Sequence, residues 1–111
     1  MEKSKALEAL SALANPTRLD LVRTLMPTGP DGLSAGDIAR RLDISASRLS
    51  FHLSTLEQAG LIRARRESRH IFYSVDPRAM GALIAYLLND CCMADPKVSA
   101  CCTTPVMARE R

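Results

Sequence analysis

The sequence is poor in aromatic residues. Phe, Tyr and Trp together make up 4% of its 111 residues, and it contains no tryptophan. Because 47% of the chain is nevertheless apolar, its core must be built from Leu, Ile, Val, Met and Ala. A chain of this length forms one compact domain, and so small a domain gains stability when it shares an apolar face with a second copy.

Long apolar runs are also missing. The longest, from Ala82 to Leu88, is much shorter than the roughly 20 residues needed to cross a bilayer. The N-terminus alternates charged and apolar residues, which differs from the continuous apolar stretch of a signal peptide. We therefore expect a cytoplasmic protein without a membrane partner.

Cysteine does not occur in the first 90 residues. All four thiols lie in two adjacent pairs, Cys91-Cys92 and Cys101-Cys102. In a reducing compartment, clustered cysteines indicate metal binding or redox sensing rather than structural disulfides. The two pairs are therefore the first candidates for a ligand site.

The first 60 residues are predicted to form four helices, the first of which presents Leu7, Leu10 and Leu13 on one face. Capping signals begin the other three, at Asn15-Pro16, at Ser34 with Asp37, and at Ser45. Residues 27–32 are predicted to be a loop. The residues expected to point inward are Leu19, Val22, Leu25 and Met26, then Ile38, Ala39 and Leu42, then Leu49, Leu53 and Leu56.

A basic β-hairpin and a fifth helix are predicted to follow. Residues 61–66 and 71–75 have strand composition, and a polar turn separates them. Asp76-Pro77 then begins a helix with an apolar stripe on Met80, Leu83, Ile84, Leu87 and Leu88. Asp95-Pro96 is expected to break the chain. We expect two segments, a domain over residues 1–92 and a cysteine-containing tail over residues 93–111.

The predicted order is that of a mainly α winged helix-turn-helix, in which the second helix of the motif enters the major groove of DNA. The outward face of that helix carries Ser47, Arg48, Ser50, Phe51 and Ser54. Arg48 can pair with guanine and Phe51 can contact a thymine methyl. Five arginines and two acidic residues between positions 61 and 78 give this stretch a charge of +3, equal to that of the whole chain. The hairpin tip, with Arg65, Arg69 and His70, is expected to contact the DNA backbone or the minor groove.

Two segments resemble the ArsR/SmtB family of metal-sensing repressors. Residues 10–22, LSALANPTRLDLV, are similar to the opening of that family, and residues 50–62, SFHLSTLEQAGLI, are similar to its recognition helix and the start of its wing. The resemblance covers roughly residues 6–90. It implies a homodimer joined through the first and last helices, which binds an inverted repeat in double-stranded DNA and represses an operon until an effector lowers its DNA affinity.

The metal sites usual in that family are not found at their places. Aligning the family's Asp-Leu pair on Asp37-Ile38 puts Ser34 and Gly36 where arsenite- and cadmium-sensing members carry Cys-x-Cys. The zinc site of the last helix needs several Asp, His and Glu ligands. The only two histidines, His52 in the recognition helix and His70 in the hairpin, are expected to be phosphate contacts or packed polar groups. We include both in the predicted DNA-binding set.

The cysteine pairs remain as the effector site. Thiolates select soft ions, and trivalent arsenic (arsenite) and antimonite prefer three sulfurs, which Cys91, Cys92 and one or both of Cys101 and Cys102 can supply. The family includes arsenical sensors with cysteines displaced to the C-terminal region, and this chain is similar to those. Three alternatives stay open: a zinc or other soft-metal site, a redox switch that forms a disulfide between the pairs, and cysteines that only extend an apolar helix face.

Two other classes of protein are less consistent with the sequence. A thiol oxidoreductase would need a Cys-x-x-Cys at a helix start and a βαβ pattern, and the chain has neither. We therefore do not expect an enzyme. A protein-protein interaction module of the same fold is disfavoured by the basic hairpin.

Overall fold

The computed structural model describes residues 1–103. Its elements, in chain order, are α1 (Lys3–Leu13), α2 (Pro16–Leu25), a 3-10 segment (Met26–Asp31), β1 (Leu33–Ser34), α3 (Ala35–Leu42), α4 (Ala46–Gln58), β2 (Ile62–Glu67), β3 (His70–Val75), α5 (Pro77–Ala85), a π-helical turn (Tyr86–Cys91) and α6 (Pro96–Thr103). Helices α3 and α4 form the helix-turn-helix and strands β2 and β3 form the wing, so the predicted winged helix-turn-helix is confirmed. Within this part of the chain, no helix is long and apolar enough to cross a membrane.

The predicted capping signals are confirmed at three helix starts. The Asn15 side chain accepts a hydrogen bond from the Arg18 N–H at 3.1 Å. The Ser34 hydroxyl accepts one from the Asp37 N–H at 3.2 Å, and the Ser45 hydroxyl accepts one from the Arg48 N–H at 3.3 Å. Each cap satisfies one of the backbone donors that a helix start leaves unpaired, and so fixes where the helix begins.

A single apolar cluster joins α1, α2, α3, α4 and the root of the wing. Its fully buried large side chains are Leu21, Leu25, Ile38, Leu49, Leu56, Leu61 and Ile62. Helix α1 contributes the small side chains Ala6, Ala9 and Ala12, which let its backbone approach the other helices closely. As a consequence Leu7 and Leu10, on the other side of α1, are exposed to solvent.

Two residues predicted to point inward from α2 are exposed instead. Leu19 and Met26 have 49% and 48% of their surface accessible, whereas Leu21, Val22 and Leu25 are buried. The buried arc of α2 is centred on Leu21 and Leu25, so Leu19 falls outside it. Met26 lies beyond the end of α2, at the start of the 3-10 segment, where the helical spacing no longer applies.

The sheet has a third strand that the sequence did not reveal. The two-residue strand β1 pairs antiparallel with β3 (Leu33 opposite Tyr73), so the strand order is β1-β3-β2. A strand of two residues is too short to show an alternating pattern. The predicted loop over residues 27–32 is mostly a 3-10 segment, which Gly29 interrupts with a φ of 63°.

The chain beyond the π-helical turn folds into helix α6 rather than breaking. The Asp95 carboxylate accepts hydrogen bonds from the N–H groups of Lys97 and Val98, at 2.8 and 3.4 Å, and Pro96 occupies the first helical position. This is the same capping pattern that begins α2 and α5, so the interpretation of Asp95-Pro96 as a break is wrong. Residues 104–111 of the predicted tail lie outside the described residues.

Gly32 is the position where only glycine fits. An added Cβ would lie 2.0 Å from the backbone oxygen of Tyr73, and the φ of Gly32 is 69°. We expect Gly32→Ala to separate β1 from β3 and to lower the free energy of unfolding by more than Gly29→Ala does. Gly29 also has a positive φ but open space around it, so its replacement should cost only the backbone strain of about 1–3 kcal/mol. Urea denaturation of both variants measures the difference, and equal losses would contradict the steric argument.

Candidate nucleic-acid interface and thiol site

The outward face of α4 carries the residues that were predicted to read DNA. All of them are exposed in the structure, namely Ser47, Arg48, Ser50, Phe51 and Ser54. Phe51 leaves 65% of its surface accessible. One of the only two phenylalanines is thus kept out of the core, on the same face as an arginine. This combination of an apolar ring, a guanidinium and hydroxyls matches the donors and contacts that base edges offer in the major groove.

His52 lies on the opposite, inward side of α4 and is 9% exposed. Its Nδ1 is 3.2 Å from the guanidinium of Arg18 in α2. Burial, followed by the positive charges of Arg18 and Arg48, lowers the pKa of His52 from its ordinary value of 6.5. A buried, neutral histidine does not reach phosphate, so of the two roles expected for His52 the structure supports the packed polar group. Its place in the predicted DNA-binding set is corrected.

Arg18 is the partner that sequence reasoning missed. Its guanidinium also donates from Nε to the backbone oxygen of Ala12 at 2.5 Å. The position of Arg18 in the sequence could have indicated this role. The inward face of α2 follows an i, i+4, i+7 spacing through Arg18, Val22 and Leu25, so a charged residue occupies an otherwise apolar stripe. A guanidinium in that position needs specific acceptors, and Ala12 and His52 provide them.

The wing arginines divide into two groups. Arg65 donates to the backbone oxygens of Pro30 and Asp31 at 3.2 and 3.4 Å, and its guanidinium lies 5.1 Å from the centre of the Phe72 ring. These contacts hold the wing against the 3-10 segment, so the guanidinium predicted to contact DNA is occupied within the protein. Arg66 and Arg69 are exposed and form no ion pair with any residue between 1 and 103.

His70 is exposed on the wing, and its ring meets Phe72 edge to face with 6.3 Å between the centroids. The base of the wing is tied to α5 through an ion pair of Arg63 with Asp76 at 3.0 Å. Burial by itself would raise the pKa of Asp76, but the hydrogen bonds from Arg63 and from the N–H groups of Ala79 and Arg78 outweigh it and lower that pKa. Asp76 therefore stays ionised, caps α5 and orients the wing.

The four thiols lie around the end of the last long helix. Helix α5 continues into the π-helical turn that ends at Cys91, and the Cys92 N–H donates to the backbone oxygen of Leu87 at 2.9 Å. Met93 and Ala94 then adopt left-handed conformations, with φ values of 54° and 55°, and reverse the chain into α6. Cys101 and Cys102 lie on α6. No disulfide links the four cysteines, and all except the partly covered Cys92 are exposed.

The two cysteines of the first pair interact with each other. A hydrogen bond with Cys91 raises the pKa of the Cys92 thiol, and partial burial and the nearby acidic groups, Asp95 among them, raise it further. Among residues 1–103, however, no group of three or more Cys, His, Asp and Glu side chains is gathered in an arrangement that could hold a metal ion.

The fold and the exposed face of α4 define a winged helix-turn-helix regulator of transcription. A helix-turn-helix domain model matches residues 13–65. The chain is 36% identical over 97 residues to the transcriptional activator HlyU of Vibrio cholerae, an alignment that covers 86% of this chain and 87% of HlyU. The structure of reduced HlyU has a TM-score of 0.62 and 32% identity, over 76% of this chain and 86% of that one. This protein belongs to the ArsR/SmtB family of winged helix-turn-helix transcriptional regulators.

Two further relatives are named for resistance to thiophilic elements. A probable mercury resistance operon repressor of Streptomyces lividans is 35% identical, over 83% of this chain and 70% of its own length. A putative arsenical resistance operon repressor of Halobacterium salinarum is 38% identical, over 72% of this chain and 64% of its own length. The relatives thus include proteins named as repressors of mercury and arsenical resistance operons, together with regulators that have other names.

Proposed function

We propose that this protein is a dimeric repressor that leaves its operator DNA when trivalent arsenic or antimony binds its C-terminal cysteines. The observation that carries the proposal is the position of the four thiols at the junction of α5 and α6 in a regulator that has no other cysteine. Mercury and arsenical resistance repressors among the relatives support an effector of this chemical class.

Binding to DNA would use α4 and the wing. The inward face of α4 is committed to the core through Leu49, Leu53 and Leu56, which leaves Arg48 and Phe51 to face base edges in the major groove. Arg66 and Arg69, which have no carboxylate partner among the described residues, would neutralise phosphates beside it. In a dimer two such units read an inverted repeat.

The apolar surface for a second copy lies on α1 and α5. Leu7 and Leu10 are 56% and 37% exposed, and Ile84 on α5 is 47% exposed, so both helices present large apolar side chains to solvent. Leu83, by contrast, is only 3% exposed and belongs to the core of its own subunit. The apolar stripe predicted on α5 is therefore divided. Leu83 packs within its own subunit, and Ile84 is available to a partner.

The chemistry of the thiols favours arsenic or antimony over a harder ion. Three thiolates satisfy the trigonal preference of the trivalent elements, and soft donors discriminate against ions that prefer oxygen. Cys91 and Cys92 are adjacent in sequence, and Cys101 and Cys102 lie on α6, which follows directly. One sulfur from α6 would complete the set after a movement of that helix, and each thiol would lose its proton on binding.

Effector binding would reach the DNA through α5. A bond between the two cysteine pairs would draw α6 onto the end of the π-helical turn, where the Cys92 N–H is bonded to Leu87. Leu87 packs against the core cluster, so a shift of this turn changes the packing of the helix at the dimer seam. A coupling free energy of roughly 1–3 kcal/mol between effector and DNA is sufficient for release.

Single replacements should separate base reading from phosphate contact. Arg48→Ala or Phe51→Ala should reduce the preference for the operator over random duplex, with a cost of about 1–3 kcal/mol for a lost bidentate guanine pair. Arg66→Ala and Arg69→Ala should weaken both DNAs equally and reduce the salt dependence, by a slope of about 0.9 per phosphate contact. Titration of fluorescent duplexes at several salt concentrations measures both effects. Arg23→Ala on α2 is the matched control, and a wild type without operator preference would refute DNA-specific repression.

Ile84→Lys should break the dimer and abolish tight operator binding. Placing an unpaired charge in an apolar contact costs several kcal/mol in order of magnitude, and Ile84 contributes nothing to the buried core of its own subunit. Sedimentation equilibrium should show a folded monomer with unchanged circular dichroism. Val98→Lys is the control, because Val98 is similarly exposed but lies on α6. An Ile84→Lys protein that remains dimeric would place the interface elsewhere.

Arsenite and antimonite should release the wild-type protein from its operator, with DNA affinity weakened about 5–150-fold. The Cys91→Ser/Cys92→Ser double variant should bind operator normally but not respond, and single Cys101→Ser and Cys102→Ser variants should identify the third ligand. Zinc, cadmium, mercury and peroxide are tested in parallel. Release by arsenite that survives loss of both Cys91 and Cys92 would refute this site, and release by peroxide alone would establish a redox switch instead.

A further inference from the structure

We infer that Arg18 and His52 form a positioning pair that fixes the angle between the recognition helix and α1. The inference rests on the proposed function, because it assigns the pair a role in how two recognition helices of a dimer are spaced. The two residues lie on different helices, Arg18 on α2 and His52 on α4, and Arg18 also bonds to the backbone oxygen of Ala12 on α1.

The guanidinium of Arg18 connects α1 to α4, and within residues 1–103 these two helices share no other hydrogen-bonding link through a side chain. One side of it donates to the backbone oxygen of Ala12 at 2.5 Å, and the other lies 3.2 Å from Nδ1 of His52. Ala12 is in the last turn of α1, where carbonyl groups lack an intrahelical partner and the helix dipole is negative. The planar guanidinium holds both acceptors at a set angle, which a flexible ammonium group would not do.

The contact requires a neutral histidine of one tautomer. Arg18 has only donors, so Nδ1 of His52 must be the acceptor and the ring proton lies on Nε2. Burial and the charges of Arg18 and Arg48 keep the ring in that form. His52 is the one buried polar side chain found in residues 1–103. Its apolar neighbours Leu49, Leu53 and Leu56 determine which face of α4 is buried. Apolar contact has no preferred direction, so the hydrogen bond to Arg18 is the directional contact that fixes the angle of the helix.

This geometry connects the apolar side of α1, which we propose for the dimer contact, to the exposed side of α4, which we propose for DNA contact. Leu7 and Leu10 lie on the exposed side of α1, and Phe51, adjacent to His52 in sequence, lies on the exposed side of α4 with its ring centroid 5.5 Å from the imidazole. If α1 is fixed by the second subunit, the Arg18–His52 contact determines where each recognition helix meets its half-site. The property it controls is therefore the preferred spacing of half-sites, beyond any effect on stability.

The test measures operator affinity for a series of duplexes whose half-site spacing is changed by one base pair at a time. Wild type should prefer one spacing, and His52→Leu and Arg18→Met should each reduce that preference about fivefold or more, the lower end of typical coupling between sites. His52→Asn should retain it, because the Asn amide oxygen can replace Nδ1 as acceptor. The double variant Arg18→Met/His52→Leu should lose no more of the spacing preference than either single variant, because both changes remove the same contact. Arg23→Met, which removes an exposed arginine from the same helix, should behave as wild type.

The possible outcomes have separate meanings. No operator binding by wild type would refute the proposed repressor and leave the pair without this role. A wild-type spacing preference that persists unchanged in folded His52→Leu and Arg18→Met would overturn the positioning role alone. If either variant fails to fold by circular dichroism, Arg18→Lys takes its place, since Lys keeps the charge but cannot hold both acceptors. An unchanged spacing preference in Arg18→Lys would overturn the inference. Loss of the preference in Arg18→Lys together with its retention in His52→Asn would support it.

Discussion

Burial of one face of α4 is the constraint on which the rest of the structure depends. Leu49, Leu53 and Leu56 must be covered for the helix to be stable, and the core cluster of α1, α2, α3 and the wing root covers them. The same burial leaves the opposite face of α4, with Arg48 and Phe51, exposed to solvent. Since burying an apolar side chain of this size stabilises by about 1.5–3 kcal/mol, the core determines which face of α4 is turned outward.

The scarcity of aromatic residues shapes how that core is built. Helix α1 packs through three alanines, and the branched side chains of α2 and α4 fill the remaining space. This arrangement turns the leucines of α1 outward, where Leu7 and Leu10 form an apolar surface that a monomer would leave in water. Helix α1 therefore buries its small side chains and exposes its large ones, which is the surface that we propose for a second copy.

Polar contacts fix the relative positions of elements that apolar packing alone does not orient. Arg65 holds the wing to the 3-10 segment, Arg63 and Asp76 join the wing to α5, and Arg18 joins α1 to α4. Each of these contacts is made by an arginine, whose planar guanidinium carries several donors and can bind more than one acceptor in a fixed geometry. The thiols lie outside this framework, at the end of α5 and on α6.

The sequence by itself determined the order of elements and the faces that make the motif. Asn15, Ser34 and Ser45 begin helices because short-range hydrogen bonds decide where a helix starts, and the spacing of Leu49, Leu53 and Leu56 identifies the inward face of α4 because helical periodicity is local. The tertiary structure alone decided which of several apolar faces becomes core. Leu19 and Met26 are therefore outside and Leu83 is inside, and helix α6 follows a residue pair that was interpreted as a break. It also decided which groups Arg18, His52 and Arg65 contact. These residues have partners up to 35 residues away in sequence, and local patterns carry no information about such pairs.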